Sequence, residues 1–210
     1  MSLPRAIRQR LDAQLVPLAG LAASRGIDGN GLQWGVLGVA ASVGALLLVT
    51  PALLPSGHGV LLLLPLSLAA RAVALAVADV LARDHPEVPQ RDPAVREVTD
   101  AGAELLLYLP VATYPGVAAA PVVLLVALGL LAEIAGLSAL ARGGERQRDG
   151  PMTLRDRAIV FAIVGLILAL DPRAAPWLPW LLLPASALAL ATVYSRMRGM
   201  PAAASERRQP

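Results

Sequence analysis

GVLLLLPLSLAARAVALAVADVLA, running from Gly59 to Ala82, is the stretch that decides the fold class. It holds one charge, Arg71, before Asp79 near its end. A helix needs about 20 apolar residues to cross ~30 Å of hydrocarbon, and this run is long enough. It is apolar all round rather than along one stripe, as expected of a helix surrounded by lipid or by other helices. Leu32–Pro55, Gly116–Leu140, Ala158–Leu170 and Trp177–Tyr194 are further apolar stretches of this kind. Ala158–Leu170 is brief, but Met152, Leu154 and Ala174 extend it. A sixth stretch, Ala101–Tyr114, is shorter and begins beside acidic residues, which places its first turns at the interface or inside the bundle. The expected fold is all-α: an integral membrane bundle of six transmembrane helices.

Composition agrees. Of 210 residues, 56% are hydrophobic and 16% charged, more apolar surface than a soluble domain of this length can bury. Every one of the 18 basic residues is Arg. The lack of Lys excludes a Walker-type phosphate lysine and Schiff-base chemistry. The lack of Cys excludes disulfides, thiol nucleophiles and Cys-ligated zinc. His58 and His85 lie too far apart for a His-rich metal site. A net charge of +3 with 3% aromatic residues argues against a nucleic-acid partner.

The arginines set the expected orientation. All but Arg71 and Arg173 of the 18 fall before the first span, after the last, or in the two loops following spans two and four. That asymmetry puts both termini in the cytoplasm. Before the first span, Ile7, Leu11, Leu15, Leu18 and Ala22 recur at helical spacing, with Arg8, Asp12 and Arg25 off the stripe. This reads as an N-terminal amphipathic helix lying along the interface rather than a signal peptide. The chain then divides into an interfacial helix at 1–30, a membrane domain at 31–199 and a disordered tail at 200–210, rich in Ala, Arg, Ser and Pro. Trp34, Trp177 and Trp180 lie near span ends, where aromatic residues anchor.

Asp79, Asp84, Glu87, Asp92, Glu97, Asp100 and Glu104 crowd the end of span two and the start of span three, nearly half of the 15 carboxylates. Asp100 and Glu104 are four apart and share a helix face, and Arg96 extends it by one turn. Such a face at a membrane mouth suits a hard cation, Mg²⁺ or Mn²⁺, able to hold a diphosphate; a solvated polar loop is the plainer reading. Two charges lie deeper, Arg71 in span two and Glu133 in span four. A buried Arg needs a partner, and Glu133 is expected to be it, as a structural ion pair or facing a substrate.

The segment Ala78–Glu104, ADVLARDHPEVPQRDPAVREVTDAGAE, resembles the signature region of the CDP-alcohol phosphatidyltransferase family. That signature runs Asp, two residues, Asp-Gly, two residues, Ala-Arg, eight residues, Gly, three residues, Asp, three residues, Asp. The likeness is nearest to a bacterial subgroup with a Tyr-Leu-Pro segment, a Glu-x-Ala-Gly in helix four and an Asp-Gly-Pro-Met loop. Here these are Tyr108-Leu109-Pro110, Glu133-Ile134-Ala135-Gly136 and Asp149-Gly150-Pro151-Met152.

The resemblance implies a bacterial inner-membrane protein of phospholipid biosynthesis. Such a protein has six spans, a cytoplasmic site between helices two and three, a membrane-lipid environment, a CDP-linked donor and a homodimeric state. It transfers a phosphatidyl-type group to an alcohol and releases CMP, with metal ions on the signature aspartates and the last aspartate as base. Aligned without gaps, Ala82 and Arg83 match the Ala-Arg pair and are expected near the donor phosphates, and Asp100 takes the place of the base. Leu75, Ala78 and Arg96 stand where the other three aspartates belong, and Asp79 and Asp92 replace the glycines.

Two readings follow. In one, Asp79, Asp100 and Glu104 form a reduced site for one Mg²⁺ or Mn²⁺, and the chain is a phosphotransferase. In the other the metal site is gone, Arg96 pairs with Asp100, and the chain is a catalytically inactive relative acting as a lipid-binding or partner subunit. A transporter has only Arg71 and Glu133 in its favour, with no internal repeat.

Overall fold

The computed structural model describes residues 5–54, 57–89, 91–141 and 150–198. Among them are seven α-helices and no strand. The helices are α1 (Arg5–Ser24), α2 (Gly29–Leu53), α3 (Leu63–Asp84), α4 (Pro93–Tyr108), α5 (Ala119–Ala141), α6 (Leu154–Leu170) and α7 (Leu178–Arg198). Short 3-10 turns at His58–Leu62 and Pro172–Trp177 lead into α3 and α7, and a third, Leu109–Thr113, follows α4. The six apolar stretches of the sequence correspond to α2 through α7. The expected tail at 200–210, Asp149 of the Asp-Gly-Pro-Met loop and the side chains of Ile7 and Leu11 lie outside the described residues.

Among the described residues, four helical segments are long and apolar enough to cross a membrane: Gly29–Leu53, His58–Asp84, Ala119–Ser138 and Pro172–Arg198. With 16 and 17 residues, α4 and α6 are shorter. Leu46, Leu48 and Val49 of α2, Leu66 and Val73 of α3, Val123, Leu124 and Leu131 of α5, and Leu183, Leu188 and Leu190 of α7 are all exposed. Apolar faces on this scale belong against hydrocarbon rather than water. Trp34, Trp177 and Trp180 are exposed as well.

Local signals set the helix ends. Gly26, at φ +69°, closes α1, and the Ile27 N–H reaches the Ala22 carbonyl at 2.9 Å while the Gly26 N–H reaches Ala23 at 3.0 Å. This is the paired hydrogen-bond pattern of a glycine-terminated helix. The start of α4 comes eight residues before Ala101, at Asp92-Pro93. The Asp92 carboxylate accepts the Ala94 N–H at 2.7 Å, and proline fits the first helical position because no donor is needed there. At the start of α6 the Asp156 carboxylate accepts the Thr153 N–H at 2.8 Å and its hydroxyl at 2.7 Å.

The chain divides into two compact units, Met1–Ala45 with Leu66–Leu107, and Leu46–Pro65 with Tyr108–Pro210. In the first, Ala19 packs with Val77, Val80 and Leu81 of α3, and Leu15, Ala23, Leu32 and Val88 close around them. Of the expected α1 stripe, Leu15 packs on this cluster and Ala22 is buried, whereas Leu18 is exposed and Ala19, off the stripe, is buried. Small residues let two helices approach closely, which a leucine at the contact would prevent. The same economy operates at Gly44, where a Cβ would collide with the Leu106 carbonyl, so α2 and α4 touch backbone to backbone.

In the second unit α5 packs along α7, and α6 packs on the His58–Leu62 turn. The buried Tyr108 ring, from the Tyr-Leu-Pro segment, stacks on Phe161 with centroids 3.9 Å apart and planes 4° from parallel. Gly150, at φ +150°, sits where a Cβ would strike Thr192. The neighbouring Met152 N–H donates to the Thr192 hydroxyl at 2.8 Å, which ties this loop to α7.

Candidate functional site

The buried charges fall into two groups, one in each unit. In the first, Arg71 of α3 and Asp100 of α4 form an ion pair, with Nη2 donating to Oδ1 at 2.7 Å. Both residues are buried. The other carboxylate oxygen faces Arg96, whose Nε stands 3.7 Å from Oδ2. That contact is one helical turn long, as the spacing on α4 requires. Next to Asp100, the Thr99 hydroxyl lies 3.2 Å from Oε1 of Gln33 on α2, and both residues are 1% exposed. A second tie between these helices lies at the start of α4, where Asn30 accepts the Asp92 N–H at 2.8 Å.

In the second unit, Glu133 of α5 takes two arginines. Arg157 Nη2 lies 3.1 Å and Arg196 Nη1 3.4 Å from the same carboxylate oxygen, Oε1. Arg196 also donates to the Ala132 carbonyl at 2.6 Å. Gly129, one turn before Glu133, makes room for Arg157: a Cβ there would stand 2.7 Å from its Nε.

Within its own unit Arg71, which was expected to pair with Glu133, takes Asp100, and within the other unit Glu133 takes Arg157 and Arg196. A buried charge is costly unless it is paired. Arg71 finds its partner on α4, and Glu133 lies on α5, which packs along α7.

The residues expected around a metal are not gathered into one site. Asp79 is 71% exposed at its side chain and pairs with Arg91. Asp100 holds Arg71 and Arg96, and Glu104, 1% exposed, lies one turn further along α4. Among the described residues no three carboxylate or imidazole side chains stand where they would hold a metal ion. A divalent cation at Asp100 would meet two guanidiniums, so this donor set does not fit Mg²⁺ or Mn²⁺. Arg83, expected near donor phosphates, donates from Nε to Asp84 at 2.7 Å and is largely exposed, and Ala82 beside it is half-buried.

Sequence reasoning passed over Gln33, Thr99, Arg157 and Arg196. Arg157 and Arg196 counted there as interfacial arginines, yet they are 1% and 2% exposed. Their signal is position: Arg157 stands directly before the apolar run of α6, and Arg196 lies within α7.

The apolar helices and the buried arginine–carboxylate groups define an all-α membrane protein. No family model matches the chain, and no solved structure matches it. It is 33% identical to inner membrane protein YnbA of Escherichia coli (strain K12) over 139 residues, 66% of this chain and 69% of that protein. The chain belongs to the family of that inner membrane protein.

Proposed function

We propose that this chain is a CDP-alcohol phosphatidyltransferase-like membrane protein that binds lipid, alone or as a partner subunit, without catalysing transfer. In this reading α2 to α7 are the six spans, α1 lies along the cytoplasmic interface, and both termini face the cytoplasm. The observation that carries it is the state of Asp100. The carboxylate at the position of the base has a guanidinium on each oxygen, from Arg71 at 2.7 Å and Arg96 at 3.7 Å.

The substituted signature positions support the same reading. Leu75 and Ala78 follow Arg71 at four and seven residues, so they share its face of α3. Arg96 precedes Asp100 by one turn of α4. An aspartate at any of these positions would serve a metal; an apolar residue or an arginine serves the ion pair instead.

The test is CMP release. Purified full-length protein given CDP-diacylglycerol, a panel of acceptor alcohols and Mn²⁺ is expected to release no CMP above background. Release that disappears in Asp100→Asn would overturn the non-catalytic reading and restore transfer with Asp100 as base.

A further inference from the structure

We propose that Arg71 and Arg96, together with Gln33, form an anion site that takes a phosphate group without a metal. The inference rests on donors that lack acceptors. Nε of Arg71 and Nε2 of Gln33 are shielded from solvent and have no hydrogen-bond partner among the described residues, and Nε of Arg96, equally shielded, has only its 3.7 Å ion-pair contact with Asp100. All three belong to one unit and surround one short stretch of α4. Arg71 bonds Asp100 through Nη2, Arg96 approaches the same carboxylate, and Gln33 contacts Thr99 beside it.

A buried donor without an acceptor is unfavourable, and the unfavourable groups here are all of one kind. Two guanidiniums face the single carboxylate of Asp100. Glu104, one turn further on, is engaged in an interaction of its own. What the group calls for is a ligand rich in acceptor oxygens and negative in charge. Guanidinium N–H groups are strong donors to phosphate oxygens. Arg71 has Nη2 on Asp100, and its Nε offers one further N–H. Cations are disfavoured by the same two charges.

The Arg71 and Gln33 residues are 5% and 1% exposed, and the Arg96 side chain, at 34%, is the member of the group that reaches the surface. The phosphate can come from a lipid headgroup or from solution, and the chemistry is shared.

The experiment uses full-length protein in maltoside detergent, which contains no phosphate. Inorganic phosphate is titrated calorimetrically, and phosphatidic acid retained by the protein is measured by native mass spectrometry. Binding of either probe is expected, and which one binds identifies the source. Arg96→Gln should weaken that binding at least tenfold, Arg96→Lys should weaken it less, and Arg173→Gln, outside the site, should leave it unchanged. Failure of the wild type to bind either probe, or undiminished binding by Arg96→Gln, overturns the proposal. If Arg96→Gln does not fold, Arg96→Lys carries the test, and binding equal to wild type then overturns it. The proposal does not depend on the absence of transfer: CMP release would sink the non-catalytic reading alone, and lack of phosphate binding would sink this one alone.

Discussion

At the scale of single residues, the protein is governed by where a few charges are buried. Arg71 and Asp100 meet at 2.7 Å, both buried, and without Arg71 the carboxylate keeps only its 3.7 Å contact with Arg96. Arg71→Met should destabilise the protein by about 3 kcal/mol, the low end for breaking a buried pair. The double variant Arg71→Met with Asp100→Leu should recover most of that loss, because an apolar pair needs no desolvated charge. Unfolding in detergent, followed by circular dichroism, measures both; a double variant no more stable than the single one would refute the account. The interior position of Arg71 was legible in the sequence, since a lone arginine amid some twenty apolar residues has to face inward. Its partner was not. Helical periodicity gives the face a residue occupies but not which other helix lies against that face. Glu133 was expected because it is the other charge deep in an apolar stretch, while Asp100 was read as the base; packing brings Asp100 to Arg71.

At the scale of the elements, close approach is bought with small residues. Gly44 lets α2 rest on the Leu106 carbonyl of α4, and the same two helices are tied by Gln33 to Thr99 and by Asn30 to Asp92. Gly44→Ala should therefore cost about 1–3 kcal/mol, the range for forcing extra atoms into a packed contact. Gly38→Ala, where a Cβ meets nothing within 4 Å, is the matched control and should be neutral or mildly stabilising. Thermal unfolding of the two variants side by side decides this, and equal midpoints would count against a backbone contact. The helices themselves were legible, because α2 to α7 follow the apolar stretches. The start of α4 was less so. Its first two turns carry Arg96, Glu97 and Asp100, and charges of that density read as a polar loop unless the Asp92-Pro93 cap is given weight. On α1 the stripe gave Leu15 and Ala22 correctly as packed but not Ala19, a small residue off the stripe that sits at the contact with α3.

At the scale of the whole molecule, a chain without Cys is ready for topology mapping, because any introduced thiol is the only one. If both termini are cytoplasmic, Ser24→Cys stays unlabelled by a membrane-impermeant maleimide in intact cells and becomes labelled after lysis. Arg173→Cys, in the turn before α7, should be labelled before lysis. The reverse pattern would invert the orientation, and labelling of both positions from outside would require an odd number of spans. The arginine asymmetry behind this expectation is a property of the full sequence and does not depend on any contact.

The pair joining α3 to α4 also has a history. Arg71 and Asp100 are 29 residues apart in the chain. A ribosome completes α3 before it has made the carboxylate that neutralises it. During that interval the guanidinium has no partner on α4, at a cost of roughly 2.5–3.5 kcal/mol on insertion scales. Integration of α3 should therefore be complete only once the Asp100 carboxylate has emerged, which couples its maturation to synthesis of the next helix.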